Sequence, residues 1–186
     1  KYNLYTEQLL LMIADLAAPI ISNAIRYSTL VHKEIDPVTG FNSINEFYEV
    51  IKEEFTNAQH NKLNLSLLIV EMSNSDAIAE QFTMRDALLM VKQIAQLVQQ
   101  MAKGKVYIFQ FKETFQFAAI LPNMDYDGAA MFSLSLIELN SKTTYYIKGQ
   151  IVNPEIIIGY SSLRPNHQSE EDLILLAENL LLMQKI

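Results

Sequence analysis

The sequence predicts an α+β fold, a sheet covered by helices and preceded by one long helix. Two observations carry this. Apolar runs of strand length alternate with stretches of helical periodicity, in the order helix, then α-β-α-β-β-α-β-β-α. Hydrophobic residues make up 50% of the 186 positions and charged residues 19%, with five Gly and five Pro, which is the composition of a packed chain. That length accommodates one ordinary domain and an accessory segment, whereas two full domains would be cramped.

Each element has its own signal. From about Thr6 to Lys33, Leu9, Ile13, Leu16, Ile20, Ala24, Tyr27 and Val31 step by three or four, which predicts one helix. Pro19 lies inside that stripe and predicts a kink. After a turn at Asp36 to Gly40, Ser43 and Glu46 have capping-box spacing and start a helix to about Gln59. Leu65 to Met72 reads as a strand buried on both faces. Arg85 to Met101 is helical; Lys105 to Phe111 and Phe115 to Leu121 form a hairpin around the polar turn Lys112 to Thr114. Asp125 to Leu139 is helical, Tyr145 to Ile151 and Glu155 to Tyr160 are strands, and Ser169 with Asp172 caps the last helix.

Composition excludes several classes of function. The net charge of −7 has no compensating basic tract, so nucleic acid and anionic membrane surfaces are poor partners. No apolar run is long enough to span a bilayer, since Leu9 to Leu16 is interrupted by Asp15 and followed by Pro19. The absence of Cys removes disulfide and thiolate chemistry and fits a reducing cytoplasm. A start at Lys1 reads as a fragment of a larger protein.

Three stretches carry a family resemblance. Asp36-Pro37-Val38-Thr39-Gly40-Phe41 is similar to the opening motif D-x-L-T-G-L of the GGDEF family, the diguanylate cyclase domains of bacterial second-messenger signalling. Ile156-Ile157-Ile158-Gly159-Tyr160 stands where the family has S-I-G, and Ala177 to Lys185 resembles its terminal helix A-D-x-A-L-Y-x-A-K. The resemblance covers residues 36 to 186, and it implies a palm-like, mostly antiparallel sheet. Residues 1 to 35 resemble the last helix of a GAF sensor domain over Leu11 to Ala24. They are expected to form a signalling helix and to drive a homodimer.

The family joins two GTP molecules, using backbone amides of a Gly-Gly turn for phosphate and two carboxylates for divalent metal. That set is incomplete here. Its Asp-x-Asp-x-Phe-Lys text is matched by Glu71-Met72-Ser73-Asn74-Ser75-Asp76, so Glu71 alone keeps an acid. The guanine-reading Asn-Asp aligns with Ala79-Glu80, and Gly-His with Thr83-Met84. The signature turn has two registers, Phe111 to Phe115 or Glu113 to Phe117; spacing to Pro122 favours the second. Neither contains glycine. The inhibitory Arg-x-x-Asp is missing too, because Arg26, Arg85 and Arg164 are followed three residues later by Thr29, Leu88 and His167.

No catalytic, cofactor-binding or metal-binding residue is therefore assigned. A lone carboxylate such as Glu71 reads as a rim residue, Phe109, Phe111, Phe115 and Phe117 as cross-strand packing, and His32, His60 and His167 as structural. Asp172 with Glu170 and Glu171 complements the dipole of the last helix. The resemblance implies a catalytically inactive regulatory or interaction module of a bacterial cyclic di-GMP and biofilm pathway, cytoplasmic or the cytosolic part of a membrane-anchored protein. It would relay an upstream sensor state to protein partners through dimer geometry. The alternative is a nucleotide receptor controlling exopolysaccharide export; an enzyme of altered substrate ranks last.

Overall fold

A computed structural model describes residues 35–185. The helix expected from about Thr6 to Lys33, its kink and its dimer contact lie outside the described residues. Among the described residues no helix is long and apolar enough to cross a membrane.

The elements are α1 (Ile44–Asn61), β1 (Leu65–Met72), α2 (Ser75–Gln81), α3 (Met84–Met101), β2 (Tyr107–Gln110), β3 (Gln116–Pro122), α4 (Tyr126–Lys142), β4 (Tyr145–Ile147), β5 (Gln150–Val152), β6 (Ile156–Ser162) and α5 (Glu170–Leu182). Four strands form one antiparallel sheet in the order β2-β3-β1-β6. The predicted α+β class is the one observed. Central β1 sends Leu65, Leu67 and Ile69 to a core shared with α1 and α5, and Leu68, Val70 and Met72 to a core shared with α3 and α4. A strand covered on both faces has to be apolar throughout, which is why this run lacks alternation.

Three local readings needed correction. Tyr145 to Ile151 is not one strand but the hairpin β4–β5, reversed at Lys148 and Gly149, whose φ values are 50° and 82°. Both central residues at positive φ make the tight turn that suits strand twist, and Lys-Gly is a weaker text for it than Asn-Gly. Helix α2 was missed because seven residues are too few for a period to show. At α1 only half of the capping box forms: Ser43 Oγ accepts from Glu46 N at 3.3 Å, while the Glu46 carboxylate takes the Asn42 side-chain amide. At α5 the box with Ser169 and Asp172 is complete.

The four hairpin phenylalanines are buried, though not as cross-strand partners. Phe109 and Phe111 enter the α1 core, where both meet the Phe47 ring edge-on, and Phe115 and Phe117 enter the α3 core. Gly159 sets the approach of α5 to β6. A Cβ there would lie 2.0 Å from the Ala177 carbonyl oxygen, so only a hydrogen fits.

Each sheet edge is partnered at one point. Gln110 N donates to Asn42 O on the β2 side, and on β6 the Gln184 side chain donates to Ile158 O at 2.7 Å and accepts from Ile158 N at 3.3 Å.

Candidate functional site

Two turns and one strand end meet where the chemistry would sit. The first turn is Asp36 to Phe41. Asp36 Oδ1 accepts from Val38 N at 3.0 Å, Thr39 N at 2.6 Å and the Thr39 hydroxyl at 2.8 Å. Gly40, at φ 76°, donates back to Asp36 O. Burial alone would push the Asp36 carboxyl up, but the bonds from Thr39 and Val38 together hold it below its ordinary value.

The second turn joins β2 to β3. Gln116 N donates to Glu113 O at 3.0 Å, and no residue from 111 to 116 has positive φ. Phe115 points into the α3 core and its carbonyl accepts from Met72 N. The amides of Glu113 and Gln116 are already bonded within the turn, to Gln116 Oε1 and Glu113 O. These two donors are spent before an anion could reach them.

Glu71 lies at the end of β1, directly opposite Gln116 in β3. Because Gln116 Oε1 accepts from Glu113 N at 3.2 Å, its NH₂ group must face Glu71, and it donates to Glu71 Oε2. Lys185 Nζ stands 2.7 Å from the same oxygen. The carboxylate thus has one neutral donor and one ammonium, and its charge is balanced inside the chain. Beside it, Lys112 pairs with Glu178 at 2.5 Å, and that hydrogen bond raises the lysine pKa.

The remaining matched positions hold structure together. Ser73 N and its hydroxyl donate to Glu155 O, and Asn74 bridges Asn153 O and Glu155 N, so the segment after β1 is tied to the loop before β6. Ala79 packs on the α3 core and Glu80 is exposed. Thr83 is the N-cap of α3, accepting from Asp86 N at 3.1 Å and donating to Asp86 Oδ2 at 2.7 Å. That bond, then Lys148, lowers the Asp86 pKa. Met84 is solvent-facing.

The cavity between the two turns and α3 measures about 280 Å³ and is bounded by Phe41, Leu88 and Val91 as well as by the turn residues. Ligand pockets commonly span roughly 300 to 1,000 Å³. Its α3 wall is aliphatic and offers nothing to a base edge. On the α5 side of the second turn the cleft is smaller, about 200 Å³. Among the described residues no three His, Cys, Asp or Glu side chains are placed to hold a metal ion. His60 lies in the last turn of α1; buried His167 accepts from Arg164 N, and burial lowers its pKa.

A family model described as "Diguanylate cyclase, GGDEF domain" matches residues 33–185. The chain belongs to this family. Among solved structures it resembles the GGDEF domain of FimX from Pseudomonas aeruginosa, with 16% identity, 78% of this chain and 90% of that one covered, and a TM-score of 0.72. It also resembles the GGDEF domain of DgcB from Caulobacter crescentus in complex with c-di-GMP, at 12% identity, 81% and 88% coverage and a TM-score of 0.72. A third is the diguanylate cyclase SiaD of Pseudomonas aeruginosa in complex with its activator SiaC, at 16% identity, 97% and 70% coverage and a TM-score of 0.71. No curated protein sequence matches the chain. At these identities the likeness speaks for the GGDEF fold.

Sequence reasoning named Glu71 but missed what holds it. Gln116 occupies the fourth, acidic place of the signature in the Glu113 to Phe117 register, and Lys185 ends the terminal-helix motif. Both signals were available. What they lacked was the strand register that brings them to one oxygen.

Proposed function

We propose that this GGDEF domain is catalytically inactive and serves as a regulatory or interaction module, relaying an upstream state to a protein partner. One observation carries the reading: the single acid kept at the end of β1, Glu71, is engaged by Gln116 and by the Lys185 ammonium. Metal-assisted phosphoryl chemistry needs carboxylates free to take Mg²⁺ and donors aimed at phosphate. Here an internal cation takes the carboxylate, and a turn of Cβ-bearing side chains replaces the glycines. The fold is used with a protein partner in the SiaD–SiaC complex, which suits the partner half of the proposal.

The test is incubation of the full chain with GTP and Mg²⁺ or Mn²⁺, followed by chromatography. No cyclic di-GMP is expected. Product that disappears on Glu71→Ala would overturn the reading. Calorimetry with cyclic di-GMP separates it from the receptor alternative: the chain has no Arg-x-x-Asp, so binding is expected to be weaker than about 1 μM, and tighter binding favours the receptor.

A further inference from the structure

Two cations stand at the other end of β1, roughly 20 Å from Glu71 at about 3.3 Å per residue. A recess of about 470 Å³ opens there, where the end of α1 meets the start of β1 and the end of β6. Gln59, Lys62, Leu63, Asn64, Leu163 and Arg164 are among the residues that form it. Its size falls within the range of small-molecule sites. No acid is among its lining residues. Among the described residues every ion pair joins other cations, so neither Lys62 nor Arg164 has a carboxylate partner.

Both cations stand on fixed backbone. Lys62 is the C-cap of α1 at φ 54°, closed by Lys62 N to Gln59 O and Leu63 N to Ala58 O. Arg164 opens the turn Arg164-Pro165-Asn166-His167, in which His167 N donates to Arg164 O and Arg164 N donates to His167 Nδ1. Gln59 Nε2 donates to His167 O at 3.1 Å and fastens that turn to α1. The Arg164 guanidinium lies 5.5 Å above the Tyr126 ring. Such stacking leaves the N–H edge of the fork for an anion.

Lys62 has a structural use, since a cation at a helix C-terminus offsets the carbonyl end of the dipole. Arg164 has its stacking on Tyr126, and neither use neutralises the charge. Two cations that line one recess with Leu63 and Leu163, and with the side-chain amides of Gln59 and Asn64, match a dianion joined to an apolar body.

We propose that this recess binds a small organic phosphate monoester. Arg164 would take two phosphate oxygens, Lys62 would supply the second charge, and Leu63 and Leu163 would hold the organic group. The assignment is independent of the reading of the Glu71 end.

Phenyl phosphate is the probe, titrated into the 186-residue chain with amide shifts followed by NMR. Saturable shifts are expected at Leu63, Asn64, Leu163 and Arg164, with a dissociation constant of about 1 mM or tighter and inorganic phosphate at least ~10-fold weaker. Arg164→Gln should weaken binding ~10-fold or more and Arg164→Lys by less, because a point charge cannot make the paired contact. Lys62→Asn, which tolerates the left-handed backbone, should weaken it by about 3-fold or more. Neither side chain is in a core, and preserved dispersion of the remaining resonances verifies that each variant is folded. Absence of saturable shifts at these residues, affinity unchanged in both Arg164→Gln and Lys62→Asn, or inorganic phosphate binding as well as phenyl phosphate would overturn the proposal.

Discussion

The two turns that face each other across the 280 Å³ cavity are built on opposite principles. In Asp36 to Phe41 the motif residues are each held to a geometry, with a carboxylate that gathers three donors, a threonine that supplies two of them, and a glycine at φ 76°. In Glu113 to Gln116 no backbone position demands glycine, because the backbone stays at negative φ and side chains fill the space. The turn that shapes the chain keeps the GGDEF family's text, and the turn that would grip a phosphate departs from it. Substitutions in the two turns should therefore differ in their cost.

The largest effect is expected at Asp36. Asp36→Ala strands two backbone amides and a hydroxyl, and should lower stability by about 3 kcal/mol in urea denaturation. A loss below ~1 kcal/mol would erase the contrast between the turns. Gly40→Ala comes next, at about 1 to 2 kcal/mol, since Cβ meets only the Lys92 ammonium at 3.8 Å and the cost is the left-handed backbone alone.

Acid sharpens the same comparison. The Asp36 carboxyl titrates lower in the folded chain than its ordinary 3.8, so its contribution is complete above that value and is lost as pH falls through the folded pKa. The stability gap between wild type and Asp36→Asn should hold from neutral pH to about 4.5 and shrink below ~3.8, as read from denaturation midpoints at each pH.

The second turn should yield smaller numbers. Gln116→Glu places a second carboxylate against Glu71 and should cost about 1 kcal/mol, a loss that millimolar Mn²⁺ reverses in thermal melts if the pair can take a cation. Wild type should melt at the same temperature with and without Mn²⁺. Thr114→Gly should change stability by no more than ~0.5 kcal/mol, because the turn has no conformational demand at that position. A large effect there would show that this turn is also constrained.

How far the sequence was legible follows the same division. Apolar β1, the helices, the Ser169–Asp172 box and the motif at Asp36 are local signals, written within a few residues, and they were readable. Lys148-Gly149 and the seven-residue α2 were local but faint. The state of Glu71 was not readable in any window. It depends on β3 setting Gln116 opposite and on α5 returning Lys185 to the same oxygen, 114 positions along the chain. Gly159 was visible as a motif residue, but its reason, the Ala177 carbonyl where a Cβ would stand, needed the packed helix. The cations at 62 and 164 are likewise a product of folding.

The amide of Gln184 on the outer rim of β6 has a bearing on solubility. An outermost strand with unoccupied N–H and C=O groups is a template for another chain's strand, and Gln184 fills both groups of Ile158 as a neighbouring strand would. Shortening the chain after Met183 would remove this plug together with Lys185. The sheet would then be open to edge-on stacking with its own copies, and aggregation would mark the loss.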